Sequence, residues 1–123
     1  MNEAELIILL LALFGIKHFI CDFSLQFSYM IADKGIYGAR GGIEHALCHA
    51  LGTWFVLLPI FGMLGMLPAL VDGILHYHID WTKQQLNRGY TPADREFWIW
   101  LGADQALHYL TYILIIGWIV GVF

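Results

Sequence analysis

The chain predicts an all-α fold, an integral membrane four-helix bundle, and three observations predict it. Apolar residues make up 59% of the 123 and charged ones only 13%, the balance of a membrane protein rather than of a soluble domain. Runs such as LIILLLALFGI (6 to 16) and YILIIGWIVGVF (112 to 123) have no polar face, whereas a soluble helix needs one recurring along its length. The apolar residues also divide into four segments, each near the length of about 17 to 25 residues that a helix needs to cross a bilayer.

The first segment runs roughly from 4 to 26. Glu3 and Glu5 stand where a signal peptide would be basic, so the first helix is expected to stay in the chain. SYMIADKGIYGARGG then reads as a loop with room for a helical turn of its own at the membrane interface. The second and third segments, roughly 43 to 62 and 67 to 83, are divided only by the glycine, methionine and proline stretch between Pro59 and Pro68, which predicts a tight hairpin. TKQQLNRGYTPADRE (82 to 96) is the second polar stretch, with Thr91 as N-cap and Pro92 at the first helical position. The fourth segment runs roughly from 97 to 121, with Trp98, Trp100 and Trp118 near its two ends, where indole rings favour the headgroup level. All of this is one transmembrane domain, 1–123.

Four spans place loops 27–42 and 82–96 on one side, together with all six basic residues, Lys17, Lys34, Arg40, Lys83, Arg88 and Arg95. The positive-inside rule makes that side cytoplasmic and puts both termini outside, in a multi-pass protein of the cell (inner) membrane. The net charge of −4 comes with no basic stripe, so nucleic acid is not an expected partner. Cys21 and Cys48 sit in apolar segments and read as packing residues rather than a disulfide. A chain this small also has the size of a homodimer subunit.

Each segment carries a pair of polar residues four positions apart: His18 and Asp22, His45 and His49, His76 and Asp80, Asp104 and His108. On a helix that spacing puts both side chains on one face, about 6 Å apart. At about 1.5 Å per residue all four pairs fall within roughly 15 Å of the cytoplasmic boundary, so they can form one site.

An aspartate at mid-bilayer costs about 2.5–3.5 kcal/mol even on the lenient insertion scale. Asp22, Asp72, Asp80 and Asp104 together would cost on the order of 10 kcal/mol, which bound divalent metal can offset. Imidazole and carboxylate suit zinc, manganese or iron. The candidate ligands are His18, Asp22, His45, His49, His76, Asp80, Asp104 and His108, enough for one or two ions; helical bundles build dimetal sites from facing side chains in this way. Asp72, one turn deeper than His76, reads as an acceptor for an imidazole N–H. Gln26 and Gln105 read as hydrogen-bonding groups that orient ligands, and Lys83 as a holder of an anionic headgroup or a snorkelling lysine. His78 points to the opposite face from His76 and is left out.

With these motifs the chain resembles a bacterial and phage family of small integral membrane proteins of unassigned function. That family is marked by His, Asp and Gln in the first helix, histidines in the second, His-x-x-x-Asp-x-x-Lys in the third and Asp-Gln-x-x-His in the fourth. Here these are HFICDFSLQ (18 to 26), HALCH (45 to 49), HYHIDWTK (76 to 83) and DQALH (104 to 108). The resemblance covers almost the whole chain and implies the bundle and its polar site. At the level of pattern alone the chain is also similar to membrane-bound metal-dependent hydrolases of bacteria that carry His and Asp motifs on apolar helices, although the His-Arg-Gly and Thr-His-Ser sequences of those enzymes are missing.

The function expected from this reading is a membrane-embedded, metal-dependent hydrolase acting near the cytoplasmic headgroups on a lipid or lipid-linked phosphoester. The metal would lower the pKa of a bound water and polarise the scissile group, with Asp22 or Asp80 as general base. The alternatives are a proton or divalent-metal relay, a bis-histidine haem protein, and a structural membrane protein with a polar core. Transport would need ionisable groups continuing to the outer side, where only Glu3 and Glu5 are found.

Overall fold

The structure, a computed structural model, describes residues 1–122; Phe123, the end of the last apolar run, lies outside the described residues. The elements are α1 (Glu3–Phe19), continued by a π-helical turn over Ile20–Ser24, then α2 (Ser28–Asp33), α3 (Arg40–Phe61), α4 (Met66–Leu86) and α5 (Arg95–Ile119), with no strand among the described residues. Three continuous helical runs, Glu3–Ser24, Arg40–Leu86 and Arg95–Ile119, are long and apolar enough to cross a membrane. The middle run is α3 and α4 joined by a 3-10 turn over Gly62–Gly65, which reverses the chain with Gly62 at φ 58°.

Local chemistry sets the ends of these helices. Asn2 and Glu5 form a reciprocal capping box, with bonds of 2.9 and 2.8 Å, so α1 starts where its first free N–H groups find acceptors. Ala39 cannot cap α3; Asp33, from the end of α2, accepts the Gly41 N–H at 2.8 Å instead. A Cβ on Gly41 would lie 2.9 Å from Met30 Cα, so glycine is what lets α2 lie against this helix start. The helical turn expected in the first loop is thus α2, and it serves as a cap.

Two boundaries differ from expectation. Residues 82 to 86 of the predicted second loop belong to α4, which makes the third segment a full-length helix of 21 residues ending before Gly89, at φ 84°. Thr91 is not an N-cap and Pro92 is not the first helical residue, because α5 starts at Arg95 with Asp94 before it. The Asp94 carboxylate turns back to accept the Thr91 N–H at 2.7 Å and its hydroxyl at 2.8 Å, and this closed turn takes the chain as far as Asp94 before helical geometry begins. Those bonds from Thr91, the backbone one foremost, hold the Asp94 carboxyl below its usual range. The turn's contribution is therefore complete above the unfolded aspartate's range and lost as pH falls.

The bundle is apolar outside and polar inside. Ile8, Leu47, Leu51, Phe55, Leu70, Ile74, Leu110 and Ile113 are exposed, while Lys17, Lys34, five histidines and four aspartates are buried. α3 and α4 pack antiparallel at close range through Ala46, Ala50 and Gly73: a Cβ on Gly73 would meet Ala50 Cβ at 2.9 Å and Ala46 O at 3.2 Å. Leu10, Phe14, Leu57, Tyr112, Ile115 and Ile116 fill the end of the bundle near the termini, with the Phe14 and Tyr112 rings stacked at 5.1 Å. Gly73→Ala is predicted to lower stability in detergent by about 1–3 kcal/mol, the usual cost of overpacking, with part of it restored by adding Ala50→Gly. Gly15→Ala, where an added Cβ meets nothing within 4 Å, is predicted to be neutral or stabilising in the same thermal unfolding assay.

Candidate metal centre

The first helical run, α3, α4 and α5 each deliver a polar pair to the same buried point. The π-helical turn at Ile20–Ser24 widens the last turn of the first run and aims Asp22 into the bundle, the kind of local adjustment often found where a helix carries function. There Asp22 Oδ1 lies 3.0 Å from His45 Nε2, 3.1 Å from His49 Nε2 and 3.6 Å from His76 Nε2, while Asp22 Oδ2 is 3.1 Å from His18 Nε2. Asp80 Oδ2 lies 3.3 Å from both His45 Nε2 and His76 Nε2, and Asp80 Oδ1 is 3.4 Å from His108 Nε2. Asp104 Oδ1 completes the chain at 3.4 Å from His108 Nε2. His49, His76 and His108 form a stack, with ring centroids 3.4 and 3.9 Å apart. All eight residues proposed from spacing are buried and joined.

Two subsets have one potential ligand atom each within 4.8 Å of one another and can hold a metal ion: Asp22, His45, His49 and His76, and then His76, Asp80 and His108. His45 Nε2 lies 3.1 Å from His76 Nε2, and Asp22 Oδ1 and Asp80 Oδ2 each sit 3.0–3.6 Å from both of these nitrogens. Donors bound at about 2.0–2.1 Å to one ion lie about 3.0–3.4 Å from each other, so most of these contacts, which are also of hydrogen-bond length, could accommodate an ion. His18 and Asp104 stand at the edge of the cluster, outside both subsets.

The supporting residues include several that spacing did not reveal. Lys17, expected among the basic residues of the cytoplasmic rim, is buried, with Nζ 2.6 Å from Asp72 Oδ2 and 3.1 Å from His49 Nδ1. Asp72 therefore meets Lys17 and the Thr53 hydroxyl, at 2.6 Å each, and is not the acceptor of an imidazole N–H. Charge is the reason: an ammonium on the facing helix outcompetes a neutral ring for a buried carboxylate. Lys34, read as a loop residue, is also buried, with Nζ 2.8 Å from Asp80 Oδ2. The Tyr112 hydroxyl lies 2.8 Å from His18 Nδ1. A signal for Lys17 was present in the sequence, since it lies well inside an apolar run; Thr53 and Tyr112 gave none.

Gln105 accepts from His18 Nε2 at 2.9 Å and donates to Asp104 Oδ2 at 3.1 Å and Asp22 Oδ2 at 3.4 Å, linking two pairs. Gln26 donates to the Asp22 backbone carbonyl at 2.6 Å, holding the π-helical turn rather than a ligand side chain. His78 lies outside the cluster, bonded to Ile74 O at 2.7 Å and to the Tyr37 hydroxyl at 3.1 Å. Cys21 and Cys48 are free thiols in contact, Sγ to Sγ 3.5 Å, beside the cluster and not in it. A cavity of about 120 Å³ lined by Asp22, Gln26, Lys34, Asp80, Lys83 and Gln105 reaches the cluster from the loop side.

Charge is the unresolved quantity of this interior. Lys17 pairs with Asp72 and Lys34 with Asp80, which leaves Asp22 and Asp104 without a lysine or arginine among the described residues. With neutral imidazoles the cluster holds two unmatched negative charges, an arrangement that a low-dielectric interior does not tolerate.

No curated protein and no solved structure matches this chain. Residues 6–122 match the family described as "Protein of unknown function (DUF3307)", and the chain belongs to that family.

Proposed function

We propose that this chain is a membrane-embedded, metal-dependent hydrolase whose site opens towards the cytoplasmic headgroups. The observation that carries the proposal is the pair of unmatched buried carboxylates beside imidazole nitrogens at coordination spacing. Two imidazolium protons would also balance the charge. An N–H aimed at a carboxylate is not aimed at a neighbouring nitrogen, however, whereas a dication satisfies Asp22, His45, His76 and Asp80 at once. The donor types fit zinc, manganese or iron, as one ion or two. An apolar exterior and three helical runs of spanning length support insertion, with four spans once the hairpin is counted, both termini outside and the α2 and 87–94 connections at the cytoplasmic face.

A bound divalent ion supplies Lewis acidity and a more acidic water. The chain's own residues do the rest. Asp22 and Asp80 both line the cavity, which makes them the candidates to take a proton from the attacking water. Lys34 and Lys83 line the cavity and suit the charge of a phosphoryl group. The cavity lies at the loop end of the bundle, and lipid-borne phosphoester is the substrate class that reaches that depth. Transport is the weaker reading, because the polar network stops against Leu10, Phe14, Leu57, Ile115 and Ile116 with no ionisable side chain among them.

Elemental analysis of detergent-purified protein is predicted to find one or two equivalents of zinc, manganese or iron per chain, lost in the Asp22→Ala, Asp80→Ala double variant. The loaded protein is predicted to release phosphate or phosphoalcohol from phospholipid vesicles, and chelation to abolish that. Metal-free wild-type protein with thermal stability equal to the double variant would end the enzyme reading in favour of a polar structural core. The Lys83 side chain makes no hydrogen bond or ion pair among the described residues; Lys83→Ala is predicted to leave the unfolding temperature within about 2 °C while raising KM about 10-fold or more, the weight of a bond to a charged group.

A further inference from the structure

We infer that Lys17 is a positioning residue that fixes the direction of the hydrogen bonds around Asp22, and that it turns His18 and His49 into donors to that carboxylate rather than ligands to an ion. The assignment of hydrogen-bond directions stands on geometry alone; the consequence for ligands rests on the metal reading above.

The available protons fix these directions one after another. The ammonium of Lys17 has three N–H groups and three partners: Asp72 Oδ2 at 2.6 Å, His49 Nδ1 at 3.1 Å and the Tyr112 hydroxyl at 3.3 Å. Asp72 Oδ2 also accepts the Thr53 hydroxyl at 2.6 Å, so its carboxylate is occupied as an acceptor and Lys17 must be the donor. His49 Nδ1 is then an acceptor, and a neutral His49 carries its proton on Nε2, 3.1 Å from Asp22 Oδ1. Tyr112, receiving one bond from Lys17, has its own proton left for His18 Nδ1 at 2.8 Å. His18 is therefore also protonated on Nε2, which faces Gln105 Oε1 at 2.9 Å and Asp22 Oδ2 at 3.1 Å. Gln105, having accepted through Oε1, points its amide N–H groups at Asp104 and Asp22, as its distances require. One ammonium orders every bond from Asp72 to Asp104.

A neutral imidazole offers a metal only its bare nitrogen. In His18 and His49 that nitrogen is Nδ1, already taken by Tyr112 and Lys17. In His45 and His76 the Nδ1 atoms have no hydrogen-bond partner among the described residues, so nothing prevents Nε2 from being the bare nitrogen at the 3.1 Å contact. Asp22, His45, His76 and Asp80 then surround that contact, and His108, whose Nε2 also has no hydrogen-bond partner among the described residues, stays with His76 and Asp80. Room for the lysine is specific too: a Cβ on Gly52 would meet Lys17 Cγ at 2.9 Å and Cε at 3.2 Å, so glycine keeps open the slot through which the side chain reaches His49.

The test is histidine tautomer state by two-bond proton–nitrogen NMR of metal-free, 15N-histidine-labelled protein in micelles, with peaks assigned from His18→Gln and His49→Gln. Both rings are expected as the Nε2–H form in wild type. In Gly52→Ala, which displaces Lys17 without removing it, His49 is expected to become a mixture of tautomers. An Nδ1–H form of either ring in wild type would overturn the inference, as would an unchanged His49 in a folded Gly52→Ala or Lys17→Met protein. Titration with zinc then separates the two claims. His49→Gln keeps an N–H for Asp22 and is expected to bind 10- to 100-fold more weakly, the usual effect of an outer-shell partner, whereas His45→Gln and His76→Gln are expected to abolish binding. Equal loss in all three would overturn the division of ligands. Wild type that binds no ion but shows both Nε2–H forms would end the metal reading and support the role of Lys17.

Discussion

Four aspartates buried in an apolar chain constrain everything else in this structure. A carboxylate away from water must find compensating charge or several donors, and the cost of failing is large enough to unfold a domain. Two of the four meet that demand with lysines, Asp72 through Lys17 and Asp80 through Lys34. Asp22 and Asp104 meet it with imidazoles and the Gln105 amide, which supply donors but, when neutral, no charge. A bound cation would answer that deficit, and the deficit argues for one more directly than any single motif does.

The architecture serves this interior. Small residues at Ala46, Ala50 and Gly73 bring α3 and α4 close enough for His45 and His76 to meet at 3.1 Å, and Gly52 gives Lys17 passage to the centre. The π-helical turn after α1 re-aims Asp22, and Gln26 braces that turn from below. Beyond Tyr112 the polar network ends at packed Leu10, Phe14, Leu57 and Ile115, while a cavity opens on it from the loop end. A conduction path would need ionisable groups continuing through that packed end.

Much of this was legible in the sequence. Pairs four apart on every apolar segment have one structural meaning, because helical geometry puts both members on one face, and the burial cost of aspartate gives a reason for the faces to converge. Lys17 and Lys34 were misplaced on the rim because a lysine in or beside a span ordinarily snorkels to water. Here the buried aspartates on facing helices make ion pairing the better outcome, and which aspartate faces which lysine is a tertiary fact. Thr53 and Tyr112 carry no periodic signal, since one hydroxyl on an apolar face looks like packing until its neighbour is known. The late start of α5 had a similar cause, as Thr91 offered a cap that Asp94 turned into a closed loop.

The central claim is that a divalent ion sits among carboxylate oxygens and imidazole nitrogens inside the bundle. X-ray absorption at the edge of the bound metal tests it most directly, because it reads donor type and distance around the ion without a crystal. The account predicts a shell of nitrogen and oxygen only, at about 2.0–2.1 Å, with the outer scattering of two imidazole rings. A sulfur shell at about 2.3 Å would move the ion to Cys21 and Cys48, and an absent edge would leave the two carboxylates to be balanced by protons; either result contradicts the account.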